Sequence, residues 1–382
     1  MRKKVNIALI GSGFMGKEHS KAYALAPVIF PDIPAEPVRK IVCDVSEDIA
    51  KNAAEKYGYE EYGVDIDEIL KRDDIDIIDV CTPPDTHAEI LCKAMEAGKF
   101  VFCEKPLVTT PEDAEKILST MKKTNGRTAV GLNKQRWPAV RYAKQLVEEG
   151  FIGKPQYYNG QYLQNGGQHE EFFWGFRNSR LQGGGFDDST SHILDMGRFI
   201  LGEYDDVIGM TDQYRTEAIA RPLKPGETVA EAPKMPRDVE DIVAIMAHMK
   251  NGALARFLWT NSYSGAGEGI SFEVTGTEGA ILWSGQRPSE LIVSSENDKA
   301  DMRGYKTVLM GPAHPYGQAV PPLPGFGVGV ADNMSFQAYE VIKAFVNNTK
   351  YLPDFVDGVK YFEICAAVRE SVEKKTWVKI KG

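Results

Sequence analysis

The 382-residue sequence is short of cysteine, lacks an excess of positive charge and has no long apolar run. Its five cysteines are an odd number and form no C-x-x-C pair, which argues against a disulfide framework and a structural zinc site. A formal charge of −9 disfavours nucleic acid and anionic membrane surfaces as partners. Because no apolar run is long enough to cross a bilayer, we expect no membrane partner and a cytoplasmic protein.

The apolar patterns divide the chain in two. Up to about residue 135, apolar runs alternate with helical periodicity, which is typical of a doubly wound parallel sheet. From Gln156 onward, alternating apolar and polar residues predict a mostly antiparallel sheet. We therefore predict an α/β protein with a doubly wound domain at 1–135 and a second domain, built on a largely antiparallel sheet with few helices, at 136–382. The C-terminal segment of the second domain can pack back on the first.

The strongest local signal is a glycine-rich turn between an apolar strand and a helix predicted at Lys17–Ala26. Its glycines follow the pattern G-x-G-x-x-G, which permits a tight turn, lets the backbone approach a pyrophosphate and lets the helix pack closely on the strand. The helix start also presents free N–H groups to phosphate. We predict that a dinucleotide binds here, at Gly11, Ser12, Gly13, Phe14, Met15 and Gly16.

Asp44 ends the second predicted strand, Val38–Cys43. A carboxylate at this point of the fingerprint binds the adenosine ribose hydroxyls and would repel a 2′-phosphate, so we predict NAD rather than NADP. The distance from the glycines is longer than usual, and we attribute the excess to a proline-rich insert at Ala26–Pro37. The alternative is that Asp44 only caps the next helix.

Three further strand ends in this half are polar: Thr82–His87, Glu104–Pro106 and Asn133–Arg136. Strand ends of an open α/β sheet face the ligand crevice. Lys105 follows a buried strand and lies between Glu104 and Pro106, so it is a candidate for a fixed cation in that crevice. The alternative is a solvated pair of Lys105 and Glu104.

A second glycine-rich turn, Gly183–Gly185, leads into an apolar helix that carries Asp188 and His192 four residues apart. On a helix these two share a face, where the carboxylate can orient the imidazole and suit it to act as a general base. Alternatively, Asp188 caps the helix and His192 is a core residue. A metal site is disfavoured because no zinc spacing is recognised among His169, Glu170, Glu171, Asp188 and His192.

Four ordered motifs carry a resemblance: Gly11–Gly16, Cys81–His87, Glu104–Pro106 and Asp188–Asp195. Over nearly its whole length the chain resembles the glucose-fructose oxidoreductase/inositol dehydrogenase/MocA family. Within that family, His314–Tyr316 and Asp195–Arg198 are most similar to sugar dehydrogenases of the levoglucosan dehydrogenase type.

The resemblance implies a Rossmann domain followed by an α/β domain with a large open mixed, mostly antiparallel sheet, through which a homodimer or homotetramer is built. It also implies hydride transfer between NAD and a secondary hydroxyl of a sugar or cyclitol. It implies Lys105, Asp188 and His192 as the catalytic set. With the fingerprint residues, we expect cofactor contacts from Thr82, Pro83, His87, Glu104 and Lys105. The sequence departs from the family in having Pro84 where asparagine is common. It also has a second carboxylate, Asp187, next to Asp188, so the two remain alternatives.

We expect the substrate to contact Asp188, His192 and a polar, aromatic set of residues: Arg136, Tyr162, Phe173, Trp174 and Arg177. Core packing is the alternative for the aromatic residues. Two other functions stay open: an enzyme that holds NAD tightly and oxidises a glycoside only transiently, and a non-enzymatic NAD-binding regulator. Two long turn-rich loops, Glu217–Pro236 and Gly311–Asn333, are predicted to be lids or subunit contacts.

Overall fold

A computed structural model describes residues 2–169, 174–320 and 322–380. The chain divides into two compact units. The first comprises Met1–Arg136 and Val328–Lys360, and the second comprises Trp137–Gly327 and Tyr361–Gly382. Among the described residues, no helix combines the length and the apolar character needed to cross a membrane.

The first unit is built on a six-stranded parallel sheet in the order β3-β2-β1-β4-β5-β6. Strands β4 and β5 are buried at every residue, as expected when helices cover both faces of a parallel sheet. The chain fills one side of β1 with β2 and β3 before it returns to place β4 on the other side, which makes β1 and β4 the switch point. The strands are β1 (Lys3–Ile10), β2 (Ala35–Cys43), β3 (Glu61–Gly63), β4 (Ile77–Val80), β5 (Phe100–Cys103) and β6 (Thr128–Val130).

The helices of this unit begin where the sequence supplies caps. Ser46, Asp65 and Thr110 each accept a hydrogen bond from the first turn of the helix that follows. The helices are α1 (Phe14–Ile29), α2 (Glu47–Tyr57), α3 (Ile66–Leu70), α4 (His87–Glu96), α5 (Pro111–Thr124), α8 (Val330–Asn347) and the start of α9 (Phe355–Lys374).

Helix α1 is longer than the sequence predicts, because it runs through Pro27 to Ile29. Strand β2 then begins at Ala35, so the predicted insert at Ala26–Pro37 is reduced to a short loop. Aromatic packing against α8 supports this end of α1: the Phe30 ring, which follows the helix, stacks on Tyr339 with the ring centroids 4.0 Å apart. Tertiary contact thus outweighs the low helix propensity of the proline.

The second unit contains a nine-stranded sheet in the order β16-β15-β14-β13-β7-β12-β11-β8-β17. Strands β7 and β12 run parallel, and the other neighbouring pairs are antiparallel. The predicted fold class is therefore confirmed. The sheet strands are β7 (Pro155–Leu163), β8 (Tyr204–Asp212), β11 (Ile242–Met249), β12 (Leu254–Thr260), β13 (Gly269–Gly276), β14 (Gly279–Ser284), β15 (Glu290–Ser295), β16 (Lys306–Leu309) and β17 (Val378–Lys379).

Helices α6 (Pro138–Glu148) and α7 (Gly184–Leu201) pack on one face of this sheet, which forms the core of the unit. That face contributes large buried side chains, among them Tyr158, Phe257 and Trp259. The opposite face carries half-buried or exposed apolar side chains in paired rows: Ile208, Met210, Ala244, Met246, Leu258, Leu282 and Ile292.

The two long loops contain more structure than the sequence predicts. In the first, short strands β9 (Glu217–Ile219) and β10 (Lys234–Pro236) pair as an antiparallel ribbon. In the second, a 3₁₀ turn covers Gly317–Ala319 and α8 begins at Val330. Their assignment as lids or subunit contacts stays a prediction.

Candidate active site

The glycine turn of the first unit is fixed by backbone contacts. Gly11 has φ of +90°, and a Cβ there would stand 2.8 Å from the carbonyl oxygen of Cys81. A Cβ on Gly16 would stand 2.2 Å from the carbonyl oxygen of Gly11. Both positions therefore require glycine, and the turn lies against the carboxyl end of β4.

Gly13 differs from the other two glycines because its surroundings are open. No heavy atom of the described residues lies within 4 Å of the position that a Cβ on Gly13 would take. Likewise, within the described chain no side chain caps the first turn of α1. Open space beside uncapped N–H groups at the positive end of a helix fits a pyrophosphate.

Asp44 lies beside this turn, at the end of β2. Its Oδ2 accepts hydrogen bonds from the backbone N–H of Ser12, at 2.8 Å, and from the Ser12 hydroxyl. Asp44 does not cap α2, since Ser46 holds that position. The carboxylate is thus placed next to the glycine turn, as the dinucleotide fingerprint requires.

His87 joins the loops that follow β4 and β5. Nε2 of the buried ring donates to the carbonyl oxygen of Thr82 at 3.0 Å, and Nδ1, which lies 3.2 Å from the carbonyl oxygen of Leu107, can accept a hydrogen bond from the Cys103 thiol at 3.4 Å. Burial lowers the pKa of His87, so the ring is neutral at pH 7. His87 fixes the loop that carries Thr82 and Pro83, and its own contact with NAD stays a prediction.

Lys105 is half-buried directly after β5. Its backbone N–H donates to Oε2 of Glu104 at 3.1 Å. Glu104 is buried, and its Oε1 lies 3.0 Å from Nε2 of His19. Glu104 therefore points inward, and the alternative of a solvated pair with Lys105 does not describe its environment.

In the second unit, helix α7 separates the two neighbouring carboxylates. Asp187 pairs with Arg369, whose Nη1 lies 2.9 Å from Oδ1. Asp188 accepts a hydrogen bond from Nε of Arg177 at 2.6 Å. Asp187 is buried and held by Arg369, and this ion pair makes it part of the scaffold. Of the two alternatives, Asp188 is the carboxylate next to the other candidate site residues.

Tyr162 and His192 lie together beside Asp188, with their ring centroids 6.1 Å apart. The Tyr162 hydroxyl donates to Oε1 of Glu268 at 3.4 Å. Burial raises the pKa of Tyr162, and the nearby carboxylates of Glu268 and Asp188 raise it further. The phenol therefore stays protonated and able to donate a hydrogen bond. Phenol, imidazole, guanidinium and carboxylates in one cluster can bind a ligand rich in hydroxyl groups.

The other predicted substrate residues have different surroundings. The Trp174 indole donates to the carbonyl oxygen of Pro236, which attaches it to the ribbon of β9 and β10. Arg136 is buried within the first unit, where it pairs with Glu340 at 2.7 Å and lies over the ring of Tyr351. Its contact with substrate stays a prediction. Phe173, Glu170 and Glu171 lie outside the described residues.

Sequence reasoning missed His19, Asp79 and Glu268 as parts of these two clusters. Asp79 offered a signal, because a carboxylate inside the apolar strand β4 must find a buried partner. That partner is His19, on the turn of α1 that follows Gly16. Glu268 is an exposed residue next to β13, and its position in the sequence gives no such signal.

Comparisons with known proteins agree with this geometry. Residues 5–132 match the model of the oxidoreductase family with an NAD-binding Rossmann fold, and residues 140–282 match the GFO/IDH/MocA C-terminal domain. Levoglucosan dehydrogenase of Pseudarthrobacter phenanthrenivorans is 38% identical over 99% of this chain and 98% of its own. An NAD-dependent scyllo-inositol 2-dehydrogenase of Bacillus subtilis is 32% identical over 53% of this chain and 55% of its own.

Among solved structures, levoglucosan dehydrogenase in complex with NADH and L-sorbose superposes with a TM-score of 0.95 at 37% identity, over 99% of both chains. Full-length similarity at this level covers both units and all four sequence motifs. The chain therefore belongs to the GFO/IDH/MocA family of NAD-binding oxidoreductases, which confirms the family, the enzyme class and the NAD cofactor predicted from its sequence.

Proposed function

We propose that this enzyme oxidises a secondary hydroxyl of a neutral sugar, anhydrosugar or cyclitol, with NAD as the exchangeable hydride acceptor. The observation that carries the proposal is the polar cluster on α7, where Asp188, His192, Tyr162 and Arg177 come together. Donors and acceptors of these kinds match a ring that carries several hydroxyl groups. The relatives named levoglucosan dehydrogenase and scyllo-inositol 2-dehydrogenase support the same substrate class.

In the proposed mechanism, His192 takes the hydroxyl proton as general base. Asp188 stabilises the imidazolium that forms, and Arg177 holds Asp188 in place. The Lys105 ammonium stabilises the alkoxide that develops as the proton leaves. Bound NAD supplies the hydride acceptor, C4 of its nicotinamide ring. The Tyr162 hydroxyl, which donates to Glu268, accepts a hydrogen bond from a substrate hydroxyl and so orients the substrate ring.

The test is NADH absorbance with purified protein, added NAD and a panel of levoglucosan, inositols, free aldoses and alkyl glycosides. We expect NADH formation with at least one neutral polyol. In Lys105→Ala and His192→Ala, kcat should fall by roughly 10²- to 10⁴-fold, the usual contribution of a positioned acid–base group. NAD affinity, measured by calorimetry, should change far less in His192→Ala.

Two other outcomes would replace the proposal. If no compound of the panel gives NADH, and NAD is released when the protein is denatured, an enzyme that keeps its cofactor and oxidises a glycoside transiently would be favoured. NAD binding without turnover, insensitive to Lys105→Ala and to His192→Ala in every assay, would favour a non-enzymatic regulator. A binding module needs neither residue, so these variants distinguish the two cases.

We also propose that a second copy of the chain covers the open face of the nine-stranded sheet. Met210 is 76% exposed there, and its register neighbours Ala244 and Leu258 continue the apolar row. Apolar rows on an open sheet face, continued here by polar residues such as Arg256 and Gln161, fit an interface between subunits. Light scattering should show a dimer or tetramer, and Met246→Glu should shift it toward monomer. A monomeric parent protein would reject the proposal.

A further inference from the structure

His19 lies buried in the first unit between two carboxylates. Its Nδ1 is 2.9 Å from Oδ2 of Asp79, and its Nε2 is 3.0 Å from Oε1 of Glu104. The exposed fractions of the three residues are 2%, 0% and 4%. The ring also stacks on Phe102, with centroids 4.9 Å apart and planes 4° apart. The imidazole is thus held at both nitrogens and on one face.

An ionised carboxylate can only accept a hydrogen bond, so both ring nitrogens of His19 must donate. The ring is therefore an imidazolium. Burial lowers the pKa of His19, but the adjacent Asp79 carboxylate, together with the nearby Cys81, outweighs burial, so the pKa is raised well above its usual value. The Tyr23 hydroxyl donates to Oδ2 of the same Asp79 carboxylate at 2.8 Å and makes no contact with Glu104 that the described residues show.

Glu104 connects this buried cation to Lys105. Its Oε1 receives the His19 N–H, and its Oε2 receives the backbone N–H of Lys105. The carboxylate also lies against Gly131, where a Cβ would stand 2.4 Å from Oε1. Glu104 therefore has little room to move, and its carboxylate is hydrogen-bonded to the main chain at Lys105.

A metal site is the other interpretation of this cluster. Among the described residues, His19, Asp79 and Cys81 offer ligand atoms within 4.8 Å of one another. However, burial raises the pKa of the Cys81 thiol to about 12, and both nitrogens of His19 already face carboxylates. A protonated thiol and an imidazolium do not bind a cation. The cluster is better explained as an internal ion network.

We propose that His19 is a positioning residue for the dehydrogenase reaction. Through Glu104 it fixes the main chain of Lys105 and so directs the lysine ammonium. The inference rests on the role proposed for Lys105. A displacement of the catalytic group by about 1 Å can cost roughly 10²-fold in rate, so the link from His19 should be visible in kcat.

Two neutral replacements separate positioning from packing. The side-chain amide of His19→Gln reaches the place of Nε2 and can still donate to Glu104. The shorter amide of His19→Asn reaches the place of Nδ1 and can donate only to Asp79. Both remove the same buried charge, so a purely structural role predicts similar losses of thermal stability and of kcat in the two variants.

We expect His19→Asn to lower kcat by at least about tenfold relative to His19→Gln, while NAD affinity and substrate KM stay within about threefold. Tyr23→Phe, which removes a hydrogen bond from Asp79 but none from Glu104, serves as the matched control and should stay within about twofold of the parent kcat. Equal kcat values for the two His19 variants would overturn the proposal.

A second readout does not depend on turnover. An amine-specific reagent followed by peptide mass spectrometry reports the labelling rate of Lys105, which is half-buried. That rate should change by about threefold or more in His19→Asn and stay near the parent value in His19→Gln. If the parent oxidises no polyol, the proposed function fails and the labelling rates alone decide. If His19→Asn does not fold, Glu104→Gln takes its place, and an unchanged labelling rate would overturn the proposal.

Discussion

Each unit contains a glycine-rich turn that starts a helix carrying a histidine, yet the two turns work in opposite ways. In the first unit the backbone is open at Gly13, while His19 is buried and held by carboxylates. In the second unit the glycines are packed, because a Cβ on Gly185 would stand 2.9 Å from the Trp259 ring. There the groups that we propose to meet the ligand are side chains, Asp188 and His192.

The comparison shows that a glycine turn before a helix does not by itself define a phosphate site. What distinguishes the two is the space around the glycines, because neither helix has a side-chain cap among the described residues. The first is left open for an anion, whereas the second uses glycine to bring α7 close to its sheet. Function at the second turn then depends on which side chains the helix presents.

The largest effect should come from the two adjacent carboxylates of α7. We expect Asp188→Asn to lower kcat by roughly 10²-fold or more, because the imidazolium of His192 loses its stabilising charge. Its effect on stability should be small, since the Arg177 side chain is 53% exposed. Steady-state kinetics and calorimetric unfolding measure the two effects.

Asp187→Asn is the matched control and should show the reverse. It leaves the largely buried Arg369 with the more distant Glu240, at 3.9 Å, as its ion-pair partner among the described residues, and should lower the free energy of unfolding by about 2–3 kcal/mol. Its kcat should stay near the parent value. If both variants lost activity without loss of stability, the assignment of Asp187 to the scaffold would be wrong.

A methyl group added to each glycine turn tests the comparison directly. Gly13 has φ of −66°, which alanine adopts, so Gly13→Ala should fold normally but weaken NAD binding on the order of 10- to 100-fold by blocking close approach to the backbone. Gly185→Ala should keep NAD affinity and lose about 1–3 kcal/mol of stability through overpacking against Trp259. Calorimetry of binding and of unfolding separates the two. A destabilised Gly13→Ala would contradict the open geometry.

The sequence predicted the first unit well because its signals are local. Apolar strands alternate with helices whose first turns are capped by Ser46, Asp65 and Thr110. The sequence did not predict the features of this unit that depend on tertiary contacts. The continuation of α1 through Pro27 is one example, and the pairing of the short strand β3 with β2 is another.

The candidate site was predictable as residue types rather than as contacts. Spacing identified Asp188 and His192, but not that Arg177 holds Asp188 while Arg369 holds Asp187. Those partners lie on separate elements of the second unit, and no periodicity connects them. In the same way, strands β15 and β16 were not predicted from the sequence. Both are short and partly exposed, and they form strands by pairing with β14 and with each other.

A smaller effect should follow at the end of β2. Asp44→Asn keeps one acceptor but loses the charge, so we expect NAD affinity to fall about fivefold to tenfold. Discrimination against NADP should fall as well, because the 2′-phosphate no longer meets a carboxylate. Asp48→Asn, which removes the same charge from the exposed first turn of α2, is the control. Unchanged affinities for both cofactors in Asp44→Asn would show that Asp44 serves only to hold Ser12.

The smallest effect concerns two buried histidines of the first unit with opposite pKa shifts. The pKa of His87 is lowered by burial, so its neutral form is required, and stability should fall as the pH drops below about 6.5, the unfolded value. The pKa of His19 is raised by Asp79 in spite of burial. Its contribution is therefore complete below about pH 6.5 and is lost as the pH rises toward the folded value.

Each histidine changes the free energy of unfolding by at most about 1.4 kcal/mol per pH unit, so together they should place the maximum of Tm near pH 6.5. Calorimetric scans from pH 5 to 8 at constant ionic strength would measure it. His87→Gln should flatten the acid side only, and His19→Gln the alkaline side only. The two pKa shifts have opposite signs. If His87→Gln flattened the alkaline side of the Tm profile, or His19→Gln the acid side, the charge state assigned to that histidine would be wrong.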